Sequence, residues 1–182
     1  MTRAVRLGLV GAGPWGRKLI AALGAIPSVE LRAVASRNPE TRSLIPGNCT
    51  VTPDWRALAR DAAIAGVVIA TPPALHPSMA LEFLAAGKAV LVEKPLALDV
   101  ASAEAVLAQA DKAGAVAMTN HVHLFHPGYA ELKRRLAGLG PVHFLRGRGG
   151  RRGPFRANVP VLWDWGPHDV AFALDLLGVE PE

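Results

Sequence analysis

Seven residues late in the chain, Trp163-Asp164-Trp165-Gly166-Pro167-His168-Asp169, set a carboxylate four positions before an imidazole. On a helical turn that spacing puts Asp164 and His168 on one face, where an aspartate can orient a histidine ring. Histidine is the side chain most often used as a general acid or base near neutral pH. A capping aspartate beside a packed histidine has the same spacing, so both readings stand on the residues alone. Glu93-Lys94-Pro95-Leu96 holds a second candidate, a lysine directly before a proline. A cis X-Pro bond redirects the preceding side chain sharply, while a solvated lysine is the plain alternative. The third candidate is Gly11-Ala12-Gly13-Pro14-Trp15-Gly16. In such a loop the first glycine permits a tight turn, the second lets backbone approach a pyrophosphate, and the third allows close helix packing. An aligned set of N–H groups at the following helix N-terminus then faces the anion.

These groups need elements to hold them. Apolar runs at Val5–Val10, Val29–Ala35, Gly66–Ala70, Ala89–Val92 and Ala115–Met118 predict buried strands. Between them Trp15–Ala25, Asp54–Arg60, Pro73–Ala86 and Asp99–Ala113 carry apolar residues at helical spacing, with Asp54 and Asp99 at N-cap positions. Gly87 and Gly114 follow two of these helices as C-terminal glycines. Strands alternating with helices predict an α/β fold with a parallel sheet over residues 1–119, because parallel neighbours need a crossover connection. The glycine loop then lies between a strand and a helix, the context a dinucleotide site requires. Residues 120–182 differ in character: a helix over 128–136, a strand Val142–Arg148, an arginine-rich and glycine-rich loop, and a helix ending at Leu177.

Open parallel sheets bind ligands at the carboxyl ends of their strands. Thr71-Pro72-Pro73-Ala74-Leu75-His76 and Glu93-Lys94 both follow strands, so Thr71, Pro72, His76, Glu93 and Lys94 are expected to line the cofactor cleft with Gly11, Gly13, Pro14, Trp15 and Gly16. About 20 residues beyond the glycine loop, NAD-binding chains usually carry an acid for the ribose 2'-hydroxyl. Here that place holds Ser36-Arg37-Asn38. A hydroxyl and a guanidinium suit a 2'-phosphate, so Ser36 and Arg37 favour NADP, with NAD still possible if Arg37 stacks on adenine or faces solvent.

In order and spacing, GAGPWG, SRNPE, ATPPALHP, EKPLAL and WDWGPHDV resemble the Gfo/Idh/MocA family, that of glucose-fructose oxidoreductase and inositol dehydrogenase. The similarity covers nearly the whole chain. It implies a Rossmann dinucleotide-binding domain followed by the start of an α+β substrate and oligomerisation domain, incomplete here. It also implies hydride transfer between a nicotinamide and a hydroxyl-bearing carbon of a sugar, cyclitol or nucleotide sugar. Lys94 then matches the family's catalytic lysine, and Asp164 and His168 its acidic and histidine partners. Family members usually carry a longer second domain, so a different class stays in view: a non-catalytic dinucleotide-binding protein, or a subunit completed by another chain.

Composition narrows the partners. The 182 residues are 51% hydrophobic and 19% charged, with a net charge of +5 and fifteen arginines among twenty basic residues. The planar arginine fork suits phosphate or carboxylate, and Arg148, Arg151, Arg152 and Arg156 sit in one loop, which points to an anionic substrate. Basic residues are scattered and no nucleic-acid module is recognisable, so no nucleic acid is expected. Neither an apolar run of about 18 residues nor a secretory pattern occurs, and the single Cys49 suits a reducing compartment, so a cytoplasmic protein without membrane contact is expected. His121, His123 and His126 tempt a metal reading, but no carboxylate or cysteine completes the set, and His121 is expected to contact cofactor or substrate instead. The unpaired edge of strand Val142–Arg148 leads to an expectation of self-association as a homo-oligomer.

Overall fold

A computed structural model describes residues 4–148 and 160–178. The chain divides into two compact units, Met1–Asn120 and His121–Glu182.

The first unit is built on six strands: β1 (Val5–Val10), β2 (Val29–Ala35), β3 (Thr50–Thr52), β4 (Gly66–Ile69), β5 (Ala89–Glu93) and β6 (Ala117–Asn120). Every neighbouring pair is parallel, in the order β3-β2-β1-β4-β5-β6. The order reverses at β1, so β1 and β4 flank a crevice at their carboxyl ends, the ligand-binding place of a doubly wound sheet. The predicted α/β class with a parallel sheet is therefore what the chain forms. Its helices are α1 (Pro14–Gly24), α2 (Arg56–Arg60), α3 (His76–Ala85) and α4 (Val100–Ala113).

Alternation along each strand fills two cores. Leu9, Val34 and Val68 point to the face that buries Ile20 and Leu23 of α1. Val10, Ala33, Ala35, Val67 and Ile69 point the other way, onto Leu58 of α2, Phe83 and Leu84 of α3 and Val106 of α4. Central β4 is apolar and buried along its whole length, as parallel strands tend to be, while β1 and β2 are buried at their carboxyl ends and carry Arg6, Glu30 and Arg32 toward their amino ends. Asp99 caps α4 through Ser102 N–H at 2.7 Å, and Gly114 closes it at φ 57°. Asp54 accepts from Arg56 N–H at 2.9 Å, but its helix begins two residues later than predicted, at Arg56. Residues 73–75 form a separate 3-10 turn, so α3 begins at His76 rather than Pro73.

In the second unit, α5 (Pro127–Leu136) and α6 (Val161–Leu177) pack through aromatic rings and one carboxylate. Tyr129 and Phe172 rings lie 4.7 Å apart, Tyr129 O–H donates to Asp175 at 2.6 Å, and Lys133 Nζ reaches the same carboxylate at 2.9 Å. His126 caps α5, its Nδ1 accepting from Gly128 N–H at 3.0 Å. The strand expected over 142–148 is absent: these residues carry no regular structure. A strand is held by the ladder of a neighbour, and no described residue pairs with this segment. The strand edge through which self-association was expected is therefore not formed among the described residues. Arg148 is exposed, while Arg151, Arg152 and Arg156 lie outside the described residues. Among the described residues no helix is long and apolar enough to cross a membrane, and no group of three histidine, cysteine or acidic side chains is placed to hold a metal ion.

Candidate cofactor and active site

The glycine loop occupies the β1/β4 crevice, and its three glycines differ in what demands them. Gly11 has φ 96°, and a Cβ there would come within 2.5 Å of the Ala70 carbonyl oxygen at the end of β4. Gly16 would drive its Cβ into the Gly11 carbonyl oxygen. Both are forced by the chain's own backbone. Gly13 is not: its φ of −68° suits any residue, and a Cβ there would meet nothing within 4 Å. Gly13 is exposed at the N-cap of α1, with no side chain capping the helix, followed by Pro14 and the half-exposed Trp15. An open backbone surface over uncapped helix N–H groups fits a pyrophosphate, which binds such a cradle without a resident side chain. The residues present therefore fit a dinucleotide.

Beyond β2, Ser36 Oγ accepts from Asn38 N–H at 3.1 Å and from Thr41 O–H at 2.8 Å. With both lone pairs engaged, its own hydrogen remains as a donor. Thr41 is fully buried and holds that orientation, a support that sequence reasoning did not single out. Arg37 is exposed beside it. Across the turn Arg17 of α1 binds Glu40 at 2.7 Å and holds its carboxyl below the usual range.

The Thr71–Leu75 turn leaves β4 at the carboxyl edge, and Lys94, in a cis peptide with Pro95, leaves β5 at the same edge. Thr71 is half-buried and Pro72 exposed. Glu93 is buried at the end of β5, where Asn120 Nδ2 donates to its Oε1 at 2.5 Å from the paired residue of β6. Sequence reasoning missed Asn120, because the predicted strand stopped at Met118 and so hid its register with Glu93. His76 is corrected by the structure. It was expected to touch the cofactor, yet it is 1% exposed and both ring nitrogens lie 2.8 Å from backbone carbonyls, Nδ1 from Pro95 O and Nε2 from Thr71 O. Neither nitrogen is left for a ligand.

In the second unit Asp164 and His168 are both half-buried and lie one turn apart on α6. Pro167 sits inside that helix, where its missing N–H removes the bond that would run to the Trp163 carbonyl. The His168 ring meets His123 edge-on at 4.3 Å and Trp165 at 6.2 Å. His121 Nδ1 is buried with no hydrogen-bond partner among the described residues, and burial lowers its pKa from the ordinary value.

Residues 5–121 match the model of an oxidoreductase family with an NAD-binding Rossmann fold, the Gfo/Idh/MocA family. The crystal structure of a protein described as an oxidoreductase from Magnetospirillum magnetotacticum MS-1 superposes with a TM-score of 0.93 at 45% identity, over 98% of this chain and 59% of that one. UDP-N-acetylglucosamine 3-dehydrogenase of Acidithiobacillus ferrooxidans is 30% identical over 97% of this chain and 56% of its own length. The 4-carboxy-2-hydroxymuconate-6-semialdehyde dehydrogenase of a Sphingobium strain is 34% identical over 72% of this chain and 43% of its own length. The chain thus spans about half the length of the curated relatives it matches.

Proposed function

Because the chain belongs to the Gfo/Idh/MocA family of NAD-binding oxidoreductases, we propose that it serves hydride transfer between a nicotinamide cofactor and a hydroxyl-bearing carbon of a sugar-like substrate. The carrying observation is Gly13: the chain's own packing does not require a glycine there, while a pyrophosphate lying over the α1 N-terminus does. Residues 1–119 act as the dinucleotide domain, and 120–182 belong to the substrate domain. Gly11, Gly13, Pro14, Trp15 and Gly16 hold the pyrophosphate end, while Thr71, Pro72, Glu93 and Lys94 line the cofactor edge. The buried, unsatisfied Nδ1 supports His121 as a cofactor or substrate contact.

The cofactor is NADP in this proposal. Relatives named for NAD(+) and for NADP(+) both occur, so family membership leaves the choice open. The oriented Ser36 hydroxyl and the exposed Arg37 supply a donor and a positive charge where an acid would repel the 2'-phosphate.

A bound nicotinamide supplies the hydride acceptor. Of the chain's own groups, His168 or Lys94 takes the hydroxyl proton, Asp164 orients the His168 ring, and the Lys94 charge also stabilises the developing alkoxide. The substrate class follows those relatives whose names carry UDP-N-acetylglucosamine or an inositol, while another is named for a semialdehyde. A substrate anion would suit Arg148.

Calorimetric titration with NADPH and NADH, followed by a panel of sugars, cyclitols and nucleotide sugars, tests the proposal. NADPH should bind more tightly, and Arg37→Ala should erase the preference. Lys94→Ala should abolish turnover with cofactor affinity nearly intact. Binding of neither cofactor would remove the function, and tighter NADH binding would remove the 2'-phosphate assignment.

A further inference from the structure

His76 opens α3, yet its ring is turned away from solvent, at 1% exposure, and lies between two turns that are far apart in sequence. Nε2 meets the carbonyl of Thr71, at the head of the turn leaving β4, and Nδ1 meets the carbonyl of Pro95, directly after Lys94. Both distances are 2.8 Å. A carbonyl oxygen only accepts and a neutral imidazole carries a single N–H, so both contacts are hydrogen bonds at once only in the doubly protonated ring. An imidazole is also rigid, and its two nitrogens point in fixed, divergent directions. Two carbonyls held at once therefore fix the spacing of the turns that carry them. The local backbone helps: Leu75 N–H closes its own turn onto the Pro72 carbonyl at 2.9 Å, and Pro77 follows the histidine.

We propose that His76 is a positioning residue for the cofactor edge, clamping the Thr71 turn against the Lys94–Pro95 turn through their backbone carbonyls. Its consequence for binding rests on the cofactor proposal above. Lys94 leaves the sheet one residue before the clamped carbonyl, so the clamp sets where its backbone runs. No flexible amide of asparagine or glutamine spans both oxygens as a planar ring does, and burial keeps water from replacing the lost donor.

Three forms of the full chain test this: the native protein, His76→Phe and His76→Gln. In the native protein, nitrogen-15 spectra should show a proton on each His76 ring nitrogen, with couplings across the hydrogen bonds to the Thr71 and Pro95 carbonyl carbons. Absence of either coupling overturns the clamp. His76→Phe removes both ring donors and should still unfold cooperatively but bind NADPH about tenfold more weakly, since only part of the loss falls on binding and the rest on stability. His76→Gln, able to donate to one carbonyl, should recover part of that loss and serves as the variant if phenylalanine prevents folding. Equal NADPH affinity in all three forms overturns the positioning role. Failure of the native protein to bind either cofactor would instead strike the function proposed above, and is read from the native protein alone.

Discussion

Asn120 donates to Glu93 across the β5–β6 ladder at 2.5 Å, so the last residues of two adjacent parallel strands are tied at the edge where the sheet meets its ligand. Glu93 is only 9% exposed, and a buried carboxylate that loses a donor bears the cost of incomplete solvation. Asn120→Ala should therefore lower stability by about 1–3 kcal/mol. Asn120→Asp should cost more, since it sets a second carboxylate against the first. Urea unfolding checks both, with the midpoint moving and the slope unchanged.

The two glycines at the start of α1 should respond oppositely to the same substitution. Gly16→Ala forces a Cβ onto the Gly11 carbonyl oxygen, backbone that cannot move without rebuilding the turn, and should destabilise by several kcal/mol, on the order of other severe steric lesions. Gly13→Ala meets open space and should leave melting within about 1 kcal/mol of native, since φ there is already negative. Its NADPH affinity should nonetheless fall about tenfold or more, because the methyl occupies the approach of the pyrophosphate. Calorimetry and thermal melting on both variants separate the effects. Unchanged NADPH affinity in Gly13→Ala would remove the cradle.

Acid should weaken the α5–α6 contact. The Tyr129 hydroxyl, then the Lys133 ammonium, hold the Asp175 carboxyl below its ordinary value of 3.8. Burial, then Asp175 itself, push the Tyr129 phenol upward, so it stays a donor. A carboxyl with a lowered folded pKa contributes its stability fully above the unfolded value and loses it as pH falls through the folded one. Tyr129→Phe should then unfold more easily than the native chain near neutral pH, and the difference should shrink at about pH 2.5. Denaturation of both proteins at the two acidities measures it. An undiminished difference would assign the loss to packing alone.

Much of this protein was legible before folding was considered. The segments that became β1, β2, β4 and β5 are legible in sequence because strands buried between two layers of helices concentrate apolar residues, even where Arg6, Glu30 and Arg32 interrupt them toward the exposed amino ends. Gly16, Asp99 and Gly114 act through their own backbone or near neighbours in the chain, so their types declare their places, whereas Gly11 also answers to the Ala70 carbonyl. Strand β3 left no such mark, since Thr50-Val51-Thr52 carries a single apolar residue and is a strand only because β2 pairs with it. The segment 142–148 shows the converse: a strand-like pattern without a ladder among the described residues remains irregular. The tertiary structure alone decided what His76 and Asn120 do. His76 and Asn120 are polar residues with a partner on another segment, Pro95 for His76 and Glu93 for Asn120, whereas the Thr41 bond to Ser36 closes a turn five residues long. Hydrogen bonds between distant segments leave no periodicity in a sequence, because they are set by which strands become neighbours and at what register.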